Sequence, residues 1–535
     1  MIEVVYEDDD LIAVCKPEGV GCQPADPDHP DDLPYRLKRE RGLPYLGIHQ
    51  RLDPELSGVV VYAKDKRANK GLAAQVEGRT VRERYVAIVE GWRGGPRRLE
   101  HWLARGRDGR TVQSHRKDRK AKRVVTEVEA VEPAGDRARL RLRVDGVRAH
   151  PLRAQLAAVG APVVGDALYG GAAAPRLMLQ LGGLALDHPV TGARLVLEAR
   201  EPAVFEASRT GALDPFGEPW LRDSLERAIE RRWGLSHRSD LDAYRLVHEA
   251  GDALSGVAVD AYGDWLVVHL HDDGLPHERA IVDALAELAT PTGVYVKRHV
   301  RQANVLVEAG EDHAPTHPVW GEPAPSPLGI GEHGLPLLVR LDDGLGTGVF
   351  LDQRLNRQRV RELSGGARVL NLFAHTAAFT VAAGIGGARE SLSVDSSKRL
   401  LERAREQLDH AGLDPTRHRL EAADCFDALD RLAEAGERFE LVIVDPPTYS
   451  TTKSTRWTSG KAWRDLGARC LRVTTPGGHV LACSNDRRMS FGAFRRHLHR
   501  AADDEGTSFA QLKDLPMPPE YRGEEHTKSL LGRRA

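Results

Sequence analysis

The stretch from residue 367 to 395, ARVLNLFAHTAAFTVAAGIGGARESLSVD, most constrains what this chain can fold into. Residues 369–373 and 391–394 are short apolar runs that predict strands, and a helix of small residues between them ends at a cluster of glycines. A carboxylate at the tip of the second strand, here Asp395, can accept both ribose hydroxyls of an adenosine-containing cofactor. The alternative is an ordinary βαβ unit whose Asp395 only caps the next helix.

Length and composition bound the remaining possibilities. A chain of 535 residues is too long for one hydrophobic core, so we expect two to four domains. No apolar run approaches the length of a membrane span, and the acidic start MIEVVYEDDD is unlike a signal peptide. We therefore expect a cytoplasmic protein, a monomer with no membrane partner. The five cysteines have no CxxC spacing, which argues against a disulfide framework and against a metal site.

A nucleic-acid partner would have to be held by local basic surfaces, because the formal net charge is only −2. One candidate surface lies in residues 105–123, and a solvated face is the alternative interpretation. Its basic residues are Arg105, Arg107, Arg110, Arg116, Lys117, Arg119, Lys120, Lys122 and Arg123.

Patterns along the chain predict four segments. Residues 1–207 contain several short runs whose patterns predict strands. A helix is predicted at 152–159, and a hairpin is predicted with its turn at Thr191-Gly192. Residues 208–225 are rich in turn formers and predict a linker. Residues 226–340 predict a small α+β domain facing the substrate, which ends in a Pro/Gly-rich stretch. Residues 341–535 contain the βαβ pattern described above.

The first segment carries HQRLDPELSGVVVYAKD, residues 49–65, which resembles the signature of RluA-type pseudouridine synthases. Three further segments agree with that family in order and spacing. YEDDDLIAVCKPEGV precedes the signature, and ERYVAIVEG and RAHPLRAQLAAVGAPVVGDALYGG follow it. The resemblance implies an α+β domain with a mixed or antiparallel sheet. It implies Asp53 as nucleophile, Tyr85 as the ring that stacks on the target uracil, Arg153 as the cation paired with Asp53, and Arg51 as the residue that flips the uridine out.

The chemistry of pseudouridine formation needs such a set. The glycosidic bond breaks, the base turns, and carbon 5 rejoins the sugar, with no cofactor required. A carboxylate must stay ionised in a cleft, which a neighbouring guanidinium favours, and an aromatic face holds the loose base. Taken alone, Asp53 would be a turn aspartate before Pro54. Gln50 and Leu56 depart from the family's His and Thr, and these departures bear on target choice and rate.

The last two segments resemble the RlmI and RlmK-type 23S ribosomal RNA methyltransferases. The segments that carry this resemblance are AYRLVHEAGDALSGVAVDAYGDWLVV, TGVFLDQRLNR, LNLFAHTAAFTV and DPPTYSTTK. They favour the RlmK type, which makes 7-methylguanine. The resemblance implies a Rossmann-like α/β fold with a parallel doubly wound sheet, preceded by the small α+β domain. It implies S-adenosylmethionine as cofactor and RNA, expected to be 23S rRNA, as partner.

Site residues follow from the same resemblance. Asp395 would bind the cofactor ribose and Asp424 the adenine amino group, while Asp445 and Pro446 would form the wall facing the target base. A plain strand terminator is the alternative for the Asp-Pro-Pro run. The remaining residues assigned to the cofactor are Gln353, Asn371, Phe373 and Ser396.

The methylated atom has two interpretations. Nitrogen 7 of guanine already carries a lone pair, so positioning next to a sulfonium suffices. Carbon 5 of cytosine needs a cysteine to add first, and Cys483 lies near where RlmI-type cytosine enzymes carry one. The run SNDRR resembles the RlmK type and would make Cys483 a buried strand residue. The guanine interpretation is preferred.

The prediction is a bifunctional RNA-modifying enzyme. The rival hypotheses are that one half is a degenerate RNA-binding module serving the other, and that the substrate is tRNA. One residue of the opening stretch is unusual, because Ala377 stands where the resembling enzymes have glycine. Its methyl group would crowd the methionine portion of the cofactor unless the backbone there has a negative φ.

Overall fold

A computed structural model gives the fold as two compact units, Met1–Gly234 and Leu235–Ala535. The structure describes residues 2–23, 31–95, 97–106, 110–114, 119–145, 149–211, 213–299, 312–447, 449–451, 456–523 and 526–535. Arg107, Arg116 and Lys117 of the basic stretch lie outside these residues. So does the apolar run NVLVEAG at 304–310, whose pattern predicts a strand. Within the described part of the chain, no helix is long and apolar enough to cross a membrane.

The first unit contains mostly strands. They are β1 (Val4–Glu7), β2 (Leu11–Lys16), β3 (Gly47–Ile48), β4 (Ser57–Ala63), β5 (Arg82–Glu90), β6 (Arg98–Arg105), β7 (Thr111–Gln113), β8 (Lys122–Ala134), β9 (Arg137–Asp145), β10 (Leu179–Asp187) and β11 (Arg194–Glu198). The helices are α1 (Leu33–Arg41), α2 (Lys66–Glu77), α3 (Ala149–Ala158), α4 (Ala203–Thr210) and α5 (Trp220–Arg231), and α6 (Trp233–Ser236) crosses the boundary.

These strands form one mixed sheet. Its order in the described residues is β1-β2-β4-β10-β5-β9-β8-β6-β7, with β11 paired to β10 and β3 to β4. All residues of β4 are buried, as expected for a β-branched run in the middle of a sheet. The pairing of β4 with β10 is parallel and its pairing with β2 is antiparallel, so the predicted mixed sheet is confirmed.

The first unit extends further than the sequence analysis placed it. Its predicted end was residue 207, with a linker at 208–225. The structure corrects this, because Trp220 at the start of α5 is 2% exposed and belongs to the first hydrophobic core. A buried ion pair attaches the same helix to the unit, since Asp223 accepts from Arg176 at 2.9 Å. Within the helix, Asp223 also accepts from Arg227 at 2.7 Å.

The second unit alternates strands and helices. Its strands are β12 (Ala243–His248), β13 (Val257–Tyr262), β14 (Trp265–Leu270), β15 (Gly293–Arg298), β16 (Trp320–Gly321), β17 (Leu328–Glu332), β18 (Leu335–Val339), β19 (Arg368–Leu372), β20 (Glu390–Asp395), β21 (His418–Ala422), β22 (Phe439–Val444), β23 (Tyr449–Thr451), β24 (Arg456–Thr458), β25 (Thr474–Ser484), β26 (Phe509–Leu515) and β27 (Lys528–Arg534). Its helices are α7 (Glu278–Ala289), α8 (Arg354–Leu363), α9 (Ala378–Ile385), α10 (Lys398–His410), α11 (Cys425–Glu434), α12 (Ser459–Val473) and α13 (Phe491–Asp504).

The main sheet of this unit is doubly wound. Its order in the described residues is β21-β20-β19-β22-β25-β27-β26, and the first five strands are parallel. Strand β27 runs antiparallel to both of its neighbours. The order reverses direction at β19, and ligands bind at such a switch point, beyond the carboxyl ends of the strands. The predicted Rossmann-like fold is confirmed.

The predicted boundary at residue 340 falls inside the second unit. One hydrophobic core joins Ala243, Tyr262 and Tyr295 of the smaller sheet β12-β13-β14-β15-β16 to Val369 and Leu441 of the main sheet. The hairpin β17–β18, within and just after the Pro/Gly-rich stretch, packs against α9 and α10. Residues 235–535 therefore form one compact unit. The sequence analysis had predicted two domains here, 226–340 and 341–535.

Candidate active sites

The first unit encloses a cavity of about 510 Å³ between the loop before β4 and the face of β5. Three predicted residues, Arg51, Asp53 and Tyr85, are brought together in its wall. The other lining residues are Ile48, His49, Gln50, Leu52, Val61, Leu72, Val76, Arg79, Val81, Glu83, Leu181, Leu184 and Leu186. The cavity thus combines an apolar wall with a carboxylate and several cations, which suits a flat polar base next to a phosphate.

The turn that carries Asp53 is fixed by backbone hydrogen bonds. The amide of Leu56 donates to the carbonyl of Asp53 at 3.0 Å, and the carbonyl of Pro54 accepts from the amide of Gly19 at 2.7 Å. The buried Lys16 ammonium also donates to the Pro54 carbonyl, at 3.2 Å. Burial lowers the pKa of Lys16 to about 8. Strand β2 and the segment that follows it therefore fix the position of the loop that carries Asp53.

Tyr85 meets a second carboxyl group. Its ring is 3% exposed on β5, and its hydroxyl donates to Glu83 at 3.1 Å. Burial raises the pKa of Tyr85 well above its usual range, and burial also raises the pKa of Glu83 to about 7. The sequence analysis missed Glu83. Alternation along β5 could have found it, because residues two apart in a strand share a face.

Arg153 does not pair as the resemblance implied. It is buried on α3, where Nε and Nη2 donate to Asp166 at 2.7 Å each, and Nη1 donates to Glu55 at 2.8 Å. The expected ion pair with Asp53 is therefore corrected to one with Asp166 and Glu55. Since Glu55 follows Asp53 by two residues, the guanidinium anchors the same loop without contacting its nucleophile candidate.

The second unit holds a cavity of about 370 Å³ beyond the carboxyl ends of its parallel strands. Gln353, Phe373, Asp395, Ser396, Asp424, Asp445 and Pro446 line it, as the sequence analysis predicted. The rest of the lining is Gly348, Phe350, Asp352, Arg357, Ala374, His375, Thr376, Ala378, Phe379, Ser397, Leu400, Cys425, Phe426, Pro447, Asn485 and Thr527. Asn371 is instead buried on β19, where its amide donates to Thr380 at 3.0 Å.

Asp395 is fixed by two backbone amides. One carboxylate oxygen accepts from the amide of His375 at 2.8 Å, and the other accepts from the amide of Ser397 at 2.9 Å. Ser397 is the N-cap of α10, so Asp395 supports the start of that helix and also faces the cavity. Asp424 similarly caps α11 through the amide of Phe426, at 2.8 Å. Both residues therefore support the start of a helix and also line the cavity.

The loop between β19 and α9 has an unusual backbone. Phe373, His375 and Ala377 have φ of 56°, 51° and 61°, in the left-handed region that favours glycine. The negative φ that would fit alanine at 377 is thus not what the structure shows. Ala377 is fully buried in the second unit's core, while its neighbours Thr376 and Ala378 line the cavity. Ala377 itself is not among the residues that line the cavity.

Gln353 connects Asp445 to Cys483. Its amide donates to Asp445 at 3.0 Å, and its oxygen lies 3.7 Å from the sulfur of Cys483. Burial and the nearby Asp352 raise the pKa of Asp445 to about 7. Cys483 is 0% exposed within β25, and burial raises the pKa of its thiol well above the usual value. The carboxyl group faces the cavity and the thiol lies behind it.

Comparison with known protein families shows which families the two parts of the chain match. Residues 245–531 match the family model described as S-adenosylmethionine-dependent methyltransferase. The chain belongs to this methyltransferase family. Residues 10–158 match the family model described as RNA pseudouridylate synthase. Both halves of the predicted fusion are confirmed by these matches, the pseudouridylate synthase model in the first unit and the methyltransferase model in the second.

Relatives agree with the methyltransferase half. A protein named ribosomal RNA large subunit methyltransferase I, from Klebsiella pneumoniae, is 34% identical over 325 residues, 59% of this chain and 80% of the relative. One of the same name from Cronobacter sakazakii is 32% identical over 346 residues, 63% of this chain and 86% of that protein. These relatives carry the type I name, whereas the sequence motifs favoured the RlmK type.

Solved structures agree on the fold. A crystal structure of a methyltransferase complexed with S-adenosylhomocysteine superposes with a TM-score of 0.54 at 24% identity, covering 66% of this chain and 88% of that one.

The methyltransferase cavity fits the family's cofactor chemically. Asp395 and Asp424 offer carboxylate oxygens at separate points of the wall, and the apolar rings of Phe373 and Phe426 lie in the same wall. Acceptors for ribose hydroxyls and for an amino group, with flat apolar faces between them, are what adenosine needs. Among described residues, no cluster of metal-binding side chains occurs.

Proposed function

We propose that this methyltransferase modifies 23S ribosomal RNA at two bases, isomerising a uridine and methylating a guanine at nitrogen 7. The proposal places the enzyme in the cytoplasm as a monomer. The observation that carries it is that one chain contains two complete cavities, one around Asp53 and Tyr85 and one around Asp395 and Asp445. Its relatives are named for the large ribosomal subunit RNA.

In the synthase cavity, Asp53 is proposed to attack the sugar of the flipped uridine. Tyr85 lies in the wall where its ring can stack on the freed uracil, and Arg51 stands at the exposed edge, where it can take the place of the base in the RNA stack. Arg153 supports this loop through Glu55. We assign it a positioning role.

In the second cavity, Asp395 is proposed to hold the ribose and Asp424 the adenine of the cofactor, with Phe373 and Ser396 beside them. S-adenosylmethionine, when bound, supplies an electrophilic methyl group. Asp445 and Pro446 face the remaining space, where the target base would enter. Gln353 is a positioning residue, because its buried amide is committed to Asp445.

The burial of Cys483 supports guanine over cytosine. A cysteine that adds to carbon 6 of cytosine must reach the base as a thiolate, but this sulfur is fully buried behind Gln353. Cys483→Ala should keep methyl transfer within about threefold, because only a buried methyl-sized void is created. Loss of methylation, with trapping of RNA on the wild-type thiol, would establish carbon 5 of cytosine instead.

Two point variants test the whole proposal on 23S rRNA. Asp53→Ala should abolish pseudouridine and leave methylation, whereas Asp395→Ala should weaken S-adenosylmethionine binding and leave pseudouridine. Nucleoside mass spectrometry of RNA treated with each variant measures both products. A single modified nucleoside from the wild-type enzyme would support the rival hypothesis that one half only binds RNA. Modification of tRNA in place of rRNA would redirect the substrate assignment.

A further inference from the structure

Glu83 lines the synthase cavity, whereas its neighbours in sequence, Arg82 and Arg84, do not. Arg82 and Arg84 are exposed on the other face of β5, while Glu83 is half-buried and lines the cavity with Tyr85. The Tyr85 hydroxyl donates to Glu83 at 3.1 Å. Gln50 lines the same cavity beside them. The bond from Tyr85 therefore orients the Glu83 carboxyl group, in the same cavity as Asp53.

The isomerisation leaves one step that Asp53 is badly placed to serve. When carbon 5 of the uracil has joined the sugar, it still carries its original hydrogen. That C–H bond must break, its electron pair restores the C5–C6 double bond, and nitrogen 1 gains a proton. Asp53 has just been displaced from the sugar carbon on the opposite side of the new bond. The proton from carbon 5 therefore needs another acceptor beside the base.

We propose that Glu83 receives the proton from carbon 5 through the Tyr85 hydroxyl. As the C–H bond breaks, the Tyr85 oxygen takes that proton and passes its own hydroxyl proton along the hydrogen bond to Glu83. Tyr85 ends unchanged, Glu83 ends as a neutral carboxylic acid, and nitrogen 1 takes its proton from water. Glu83 then returns its proton to solvent. The inference rests on the pseudouridine synthase activity of this unit.

Charge and burial support this assignment. A general base works best when its pKa is near the working pH, and burial raises that of Glu83 to about 7. The charged or titratable groups that share its cavity are Asp53, His49, Arg51, Arg79 and Tyr85. Because the relay needs the ionised carboxylate, proton removal should become faster as pH rises through about 7. A carboxyl group that only supported the fold would not link the rate to this step.

The test follows the hydrogen itself. The full-length enzyme is given a 23S rRNA transcript made with either uridine or [5-²H]uridine, and pseudouridine formation is timed. In Glu83→Gln the amide cannot accept the proton, so the rate should fall by about 100-fold. The deuterated RNA should then react more slowly than the protonated RNA, since proton removal has become limiting. Glu83→Asp should recover part of the rate.

Matched controls separate chemistry from folding. Glu127→Gln makes the same change on β8, where the carboxylate pairs with Arg143 at 2.6 Å and does not line the cavity. It should keep the wild-type rate. Glu83→Gln reacting at the wild-type rate, or slowly without an isotope effect and with an unchanged melting temperature, overturns the inference. Absence of pseudouridine with the wild-type enzyme overturns the synthase activity as well.

Discussion

Each cavity contains a carboxyl group whose pKa burial raises to about 7, Glu83 in the synthase and Asp445 in the methyltransferase. Their neighbours differ. Glu83 accepts from Tyr85, whereas Asp445 accepts from Gln353 and is repelled by the charge of Asp352. Both groups gain or lose a proton near neutral pH. A change of about one pH unit therefore alters the charge of each cavity, and with it the affinity for a charged ligand.

Asp445 gives a pH dependence with a definite sign. Its pKa lies above the ordinary value, so the group is neutral below about 7 and becomes an anion above it. An anion in the cavity attracts the sulfonium of S-adenosylmethionine. We expect affinity to rise several-fold between about pH 6 and pH 8, measured by calorimetry. Asp445→Asn should remove most of this pH dependence. Equal slopes in the two proteins would contradict the assignment.

In the connection between β19 and α9, the free-energy cost of a strained backbone is opposed by the gain from packing a side chain in the core. A non-glycine residue at positive φ costs about 1–2 kcal/mol. At Ala377 this strain is offset by a methyl group buried in the core, which contributes about 0.8 kcal/mol. The two terms are of similar size. Alanine can therefore replace glycine here with little net change in stability.

Ala377→Gly tests this balance. We expect the free energy of unfolding to change by less than about 1 kcal/mol, since relieved strain offsets the lost methyl group. Ala382→Gly is the matched control, because Ala382 is equally buried but lies inside α9. That variant should lose about 1–2 kcal/mol. Urea unfolding of both compares them directly, and S-adenosylmethionine affinity should be unchanged in Ala377→Gly. A larger loss in Ala377→Gly than in Ala382→Gly would remove the strain argument.

The same connection shows what sequence patterns can predict. Continuous apolar runs predict β19, α9 and β20, because most residues of each element are buried. They cannot give the sign of φ at Ala377, which packing between elements decides. The carboxylates Asp395 and Asp445 are predictable because they end strands that meet at one sheet edge. The partners of Arg153 are not, because Asp166 and Glu55 come from separate segments that only tertiary structure brings together.

The two compact units make the boundary at Gly234 testable. A fragment ending at residue 234 keeps Trp220 and the ion pair of Arg176 with Asp223, and one ending at 207 loses both. A missing buried Trp costs about 3–5 kcal/mol. Arg176 also loses its buried partner Asp223, which destabilises the fragment further, and keeps Glu18 at 3.3 Å. Since a domain has only about 5–15 kcal/mol in total, the shorter fragment should be largely unfolded. Circular dichroism melts of the two fragments check this. Equal melting temperatures would show that α5 is dispensable.

The shared core of residues 235–535 has a consequence for the origin of such a chain. Tyr262 and Tyr295 from the smaller sheet pack in the same core as Val369 and Leu441 from the main sheet. A recombination event that exchanged only the part after residue 340 would cut through that core and leave both pieces with exposed apolar surface. A gene fusion joined near Gly234 cuts through neither core. The joint between the ancestral genes is therefore expected at this point, where each parent could keep its own fold.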